Sequence, residues 1–285
     1  MKPFFQKLAS IIMATLITTV AYSQTKSCCS KPAESSEVFA MLGKNEQFQS
    51  AHEAPLPFFY TSENGKSIQF KTSDGMMGNA FEIKAAKPTK NYVLMVHEWW
   101  GLNDYIKQEA EKLQKELGNV NVLALDLYDG KVATTAEEAG KYMGEVKSDR
   151  ATAIINGATE YAGKQAKIYS IGWCFGGGWS LQTSLLAGKQ AAGCVMYYGQ
   201  PEKDLGKLKK LNADVFFVFA TKDQWINKEV VSTFEKDMKS ANKKLTVKSF
   251  DADHAFANPS NPHFNKEFAA EAHTLAVAFL KDRMK

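Results

Sequence analysis

Arginine is nearly absent from this 285-residue chain: Arg150 and Arg283 are the only two, and all other cationic side chains are lysines. A guanidinium fork grips carboxylates and phosphates with paired hydrogen bonds, so recognition of that kind has almost no residues to draw on. The excess of one sign of charge is small too. The formal net charge is +4, no basic run stands out, and nothing in the pattern suits nucleic acid. The four cysteines, Cys28, Cys29, Cys174 and Cys194, are too few for a disulfide-built scaffold of this length. Histidine is limited to five residues, which leaves few candidates for any chemistry that needs an imidazole. Long hydrophobic runs are missing as well. The N-terminal apolar stretch, Leu8 to Ala21, covers 14 residues and is broken by Ser and Thr, whereas a membrane span needs about 20.

That short stretch has a different use. Lys2 and Lys7 precede or open it, and Ala21-Tyr22-Ser23 offers small residues at the two positions a signal peptidase reads. Residues 1–23 are therefore expected to be a cleaved secretory leader, with Gln24 as the new N-terminus, rather than a retained anchor. The expectation that follows is an exported chain, periplasmic or secreted, without membrane attachment after the cut. Residues 24–60 are polar, with scattered apolar side chains around Val38 to Leu42, and read as an irregular, loosely held arm with room for one short helix. Cys28-Cys29 lies in this arm. Two thiols without nearby histidines could take a soft metal or form intermolecular disulfides, but the metal signal is weak.

Residues 61–285 read as one α/β domain. SIQFKTS and AFEIK alternate like exposed edge strands, and NYVLMVHE is a continuous apolar run, as in a buried strand. Asn103 caps a helical stretch that ends at Gly118. Further buried strands, VNVLALDLY, KIYSIGW, AAGCVMYYG and DVFFVFATK, alternate with helical segments, and a long amphipathic helix closes the chain. Strand–helix alternation of this kind builds a mostly parallel sheet flanked by helices on both faces.

Between KIYSIGW and the helix that follows stands Gly172-Trp173-Cys174-Phe175-Gly176. This is the nucleophile-elbow pattern with cysteine in the nucleophile's place. The alternative is an inert buried thiol in a glycine-rich turn. A side chain two positions either side of the nucleophile would meet neighbouring backbone, and the following helix aims its amides at the thiol. In such a fold the acid follows a later strand and the histidine follows the last one. Asp223 in ATKDQW and His254 in DADHAF occupy those places, whereas His52 lies in the arm and His263 and His273 lie in or beside the last helix. Cys194 reads as a small buried apolar residue. Asp251 and Asp253 are better suited to capping or solvating their loop.

HEWWGLN, DLY, GWCFGGG, YYG, ATKDQW and DADHAF, in this order, resemble the dienelactone hydrolase family. The resemblance implies an α/β-hydrolase fold and a Cys174-His254-Asp223 triad. It gives Glu98 the task of holding the resting thiol's proton balance, and it assigns the oxyanion hole to the backbone amides of Trp99 and Phe175. Trp100 and Tyr198 would wall the substrate pocket, together with Trp99. The chain also departs from the family pattern. Asn258 stands where an arginine that binds the substrate carboxylate is expected, and Lys131 follows DLY without an arginine beside it. Both are kept as candidate substrate-binding residues. The expected activity is hydrolysis of small esters or lactones through an acyl-enzyme, by a monomer, with no metal or organic cofactor implied. Two other readings stay open: a non-catalytic ligand-binding protein that retains the fold, and a thiol or soft-metal carrier acting through Cys28-Cys29.

Overall fold

The apolar runs of the sequence become the inner strands of one eight-stranded sheet. The computed structural model describes residues 35–285 together with Met1; the expected leader and Cys28-Cys29 lie outside the described residues. The strands are β1 (Gly65–Lys71), β2 (Met77–Ile83), β3 (Asn91–Val96), β4 (Asn121–Asp126), β5 (Lys167–Trp173), β6 (Ala191–Tyr197), β7 (Val215–Ala220) and β8 (Leu245–Phe250). Their spatial order is β1-β2-β4-β3-β5-β6-β7-β8. The β1–β2 and β2–β4 pairs are antiparallel and all others parallel. Only β1 is the exposed edge strand the alternation suggests. β2 is paired on both sides and mostly buried, because β4 takes the edge that alternation alone would leave open.

The helices are α1 (Ser35–Ala40), α2 (Glu46–Ser50), α3 (Asp104–Leu117), α4 (Ala136–Glu145), α5 (Ser148–Ala162), α6 (Phe175–Ala187), α7 (Leu205–Leu208), α8 (Lys228–Ser240) and α9 (Lys266–Met284). Asn103 caps α3 by accepting the Ile106 amide at 3.2 Å, and Gly118 ends it at φ 88°. Successive residues of β5 show that helices lie on opposite faces of the sheet. Tyr169 donates to the Arg283 carbonyl of α9, while Ser170 donates to the Ser180 carbonyl of α6. Among the described residues, no helix is long and apolar enough to cross a membrane.

Residues 35–52 are more ordered than a loosely held arm. They form α1, a 3-10 turn (Met41–Lys44) and α2, and they bury Phe39, Phe48 and His52. This segment is anchored to α4 at a crossing of two glycines. A Cβ on Gly43 would lie 2.5 Å from the Gly140 carbonyl oxygen, and one on Gly140 would lie 2.1 Å from that of Gly43. Backbones can approach so closely only where neither residue has a side chain.

Candidate active site

β3 and β5 are neighbours, yet the chain leaves β3 for β4 on its other side before returning. Loops that diverge in this way open a crevice at the strands' C-terminal ends, and the site lies there. Cys174 connects β5 to α6 at φ 55° and ψ −117°, a conformation that a non-glycine residue adopts only when its surroundings impose it. Here the Cys174 amide donates to the Tyr197 carbonyl, and the Cys174 carbonyl accepts the Gly177 amide. A Cβ on Gly172 would come within 2.1 Å of the Gly176 carbonyl oxygen, and one on Gly176 within 2.3 Å of that of Val96. The turn therefore requires glycine on both sides of the thiol.

The loop after β7 supplies Asp223, and the loop after β8 supplies His254. Asp223 Oδ1 accepts the Trp225 and Ile226 amides, and its Oδ2 accepts His254 Nδ1–H at 2.5 Å. The buried carboxylate is thus held in place, and it orients the ring. Burial alone would raise the Asp223 carboxyl, but the His254 ring and these hydrogen bonds keep it below the usual range. Burial likewise disfavours a charged imidazole, yet Asp223 and Cys174 together outweigh it and hold His254 well above its ordinary value. Cys174 Sγ lies within 4.8 Å of a ring nitrogen of His254. That contact falls short of a settled hydrogen bond, since Nε2 has no partner. Cys174 is only 1% exposed, and burial pushes its thiol up, with His254 pulling it partly back. The resting group is a neutral thiol.

His97 sets the loop after β3: its Nδ1 meets the Glu98 carbonyl at 2.6 Å, and its Nε2 accepts the Leu127 amide at 3.1 Å. The next residue, Glu98, is buried beside the triad. Asn258 Nδ2 donates to its Oε2 at 2.5 Å and the Tyr198 hydroxyl to its Oε1 at 3.5 Å. Desolvation lifts the Glu98 carboxyl to about 7, against the opposing pull of His254, Asn258 and Tyr198. The Phe175 amide faces the Cys174 sulfur. Among the described residues the Trp99 amide has no hydrogen-bond acceptor. The Phe175 amide is thus a donor beside the thiol.

The other expected residues divide. The Tyr198 ring lies 5.0 Å from that of His254. Trp100 and Asn258 line a cavity of about 270 Å³ that also touches Glu98, Trp173, Phe264 and His273. Cys174 and His254 do not line it, so Glu98 stands between cavity and thiol. Lys131 does not join the site. Its side chain is 51% exposed, pairs with Glu145 at 3.0 Å and lies over the Tyr142 ring. The expectation of a substrate-binding Lys131 is corrected here: an acidic partner on α4 takes the charge that motif position alone would assign to the pocket. The two arginines are equally committed, Arg150 to Asp74 and Asp129, Arg283 to Asp214.

The arm supplies what motif reasoning misses. His52 is 3% exposed, and its ring centroid lies 5.3 Å from that of His254 and 4.9 Å from that of Trp99. Phe48 packs 5.2 Å from Trp99, 5.0 Å from Trp225 and 6.0 Å from His254. Burial, reinforced by His254, lowers His52 to about 3, so it is neutral. One ring nitrogen each of His52 and His254 and Cys174 Sγ lie within 4.8 Å of one another, the one cluster of potential metal ligands among the described residues. No local sequence pattern marks His52: it lies just beyond α2, and its neighbours come from distant parts of the chain.

Comparison with known proteins agrees with the fold. The model of the "Dienelactone hydrolase family" matches residues 79–284. "Protein usf" of Aquifex pyrophilus is 28% identical over 67% of this chain and 87% of its own length. "Carboxymethylenebutenolidase 1" of Cupriavidus pinatubonensis is 26% identical, with coverages of 72% and 94%. Among solved structures, the dienelactone hydrolase-like promiscuous phosphotriesterase P91 from metagenomic libraries superposes with a TM-score of 0.64 at 18% identity, covering 78% of this chain and 99% of its own.

Proposed function

Because the chain belongs to the dienelactone hydrolase family, and is a hydrolase on that ground, we propose that it cleaves small esters or lactones with Cys174 as nucleophile. In this reading a proton leaves the thiol as substrate binds, passing to Glu98 or His254, and the thiolate attacks the carbonyl carbon. The Trp99 and Phe175 amides hold the tetrahedral oxyanion. Collapse expels the alcohol, which takes up that same proton by way of His254, and leaves a thioester. Water, deprotonated by His254, then releases the acid and restores the thiol. The observation that carries the reading is the buried Asp223–His254 hydrogen bond of 2.5 Å beside an elbow cysteine. Uncharged substrates fit best. Both arginines are committed elsewhere, and on the cavity wall Lys112 and His273 already face Glu109. An unpaired buried carboxylate costs several kcal/mol. We further infer export with cleavage after Ser23, which rests on the Lys2/Lys7 start and the short apolar run.

The test is hydrolysis of a neutral aryl ester and of its carboxylate-bearing analogue. Cys174→Ala should lower kcat/KM on the neutral ester at least roughly a thousandfold, and retained activity would remove the thiol from the mechanism. Wild type should prefer the neutral ester. A preference for the anion that vanishes in Lys266→Ala, the remaining cation on the cavity wall, would assign a lysine clamp instead.

A further inference from the structure

Among the described residues two buried imidazole nitrogens lack partners, and both belong to histidines around Cys174. His52 Nδ1 lies 2.6 Å from the Phe48 carbonyl oxygen, which can only accept, so Nδ1 carries the proton and Nε2 keeps its lone pair. His254 Nδ1 donates to Asp223, and a cation that takes its Nε2 releases any proton held there. The two Nε2 atoms are buried without a hydrogen bond among the described residues. An unsatisfied buried polar atom costs about 1–3 kcal/mol, and each of these belongs to a ring clustered with Cys174.

We propose that His52, His254 and Cys174 form a binding site for a thiophilic divalent cation of the zinc class, which ties the N-terminal arm across the nucleophile. A sulfur and two imidazole nitrogens are a zinc ligand set. Their spread of at most 4.8 Å needs side-chain shifts of only about an ångström to reach the separations found around one tetrahedral ion, with Zn–N near 2.0 Å and Zn–S near 2.3 Å. Each imidazole is already oriented from behind by an acceptor on Nδ1, the Phe48 carbonyl in one case and the Asp223 carboxylate in the other, as metal-ligating histidines normally are. Charge is matched as well. Cys174 enters as thiolate, its proton leaving to solvent, and together with the Asp223 carboxylate it balances two positive charges in a low-dielectric site. Phe48, Trp99 and Trp225 pack around the cluster, and three protein ligands leave the fourth position of a tetrahedral ion to be filled from outside the protein. An occupied site takes the thiolate and imidazole out of use and ties residue 52 to the body of the domain through one metal–nitrogen bond. The inference stands apart from the hydrolytic reading, since metal binding needs no substrate.

The probe is Co²⁺, whose thiolate charge-transfer and tetrahedral d–d absorptions report a sulfur-containing site. It is added under reducing conditions to the full chain carrying Cys28→Ser and Cys29→Ser, so that only the body thiols remain. One equivalent should develop both bands, and Zn²⁺ should displace them. Cys174→Ser should abolish the charge-transfer band, and Cys194→Ser should keep it. His52→Gln and His52→Asn should each weaken binding by more than the ten- to hundredfold that loss of a supporting hydrogen bond costs. Far-ultraviolet dichroism of each variant confirms that its fold is intact. No bands at a tenfold excess of Co²⁺, or wild-type affinity in both His52 variants, would overturn the proposal.

Discussion

Burial brings the Glu98 carboxyl to about 7, so its charge changes across neutral pH. Ionised, it sits close enough to Cys174 to push the thiol up. Glu98→Gln removes that charge while keeping a similar shape. The midpoint of Cys174 alkylation against pH should therefore fall in this variant, and an unchanged midpoint would separate the two groups. Stability carries the same signature. Between the ordinary glutamate value of 4.5 and about 7, the folded chain holds a proton that the unfolded chain releases. Stability contributed by this group is thus lost as pH rises through that window. Between about pH 5 and pH 8, wild type should lose roughly 2 kcal/mol relative to Glu98→Gln in denaturant titrations. Parallel pH profiles would show that the carboxyl titrates near its ordinary value.

At the scale of elements, the segment α1–α2 and the elbow helix α6 act on one another. The thiol is buried, and the arm stacks Phe39, Phe48 and His52 around His254, at centroid distances of 6.5, 6.0 and 5.3 Å. The arm in turn depends on the Gly43–Gly140 crossing with α4, on Ser148 donating to Glu37 and on Ser35 donating to Glu202. Forcing a methyl group into that crossing costs about 1–3 kcal/mol, much of it relieved if the arm lifts. Gly140→Ala should raise the population of lifted arm, and with it the alkylation rate of Cys174, roughly tenfold, since 1.4 kcal/mol is a factor of ten. If the rate stays at the wild-type value while the variant folds, the arm does not control access to the thiol.

For the whole molecule, the sheet order and the proposed leader bear on one question: how a cysteine hydrolase would work where thiols oxidise. The divergence of the loops after β3 and β5 makes the site a crevice, and the arm and the β7 and β8 loops close over it. The resting thiol is neutral and buried, and both features slow oxidation. Export is therefore compatible with cysteine chemistry. Mass spectrometry of the chain recovered from the periplasm or medium should find Gln24 at its N-terminus. Recovery with Met1 still attached would overturn the leader reading.

The sequence by itself determined those features that are local: apolar runs that become inner strands, Asn103 and Gly118 at the ends of α3, and the glycines flanking Cys174. That Cys174, Asp223 and His254 would come to one edge of the sheet was legible as well, because each follows its own strand and a parallel sheet delivers strand ends to one edge. Only the tertiary structure decided what depends on where side chains point across long separations. Glu98 and Asn258 meet across 160 residues, Lys131 turns to Glu145, and β2 lies inside the sheet rather than at its edge. His52 is the clearest case. In a polar arm it shows no signal of its own, since a lone histidine acquires chemistry only from its neighbours. Those neighbours, Trp99, Trp225 and His254, are brought to it by packing around a shared apolar contact, Phe48, that no local pattern specifies.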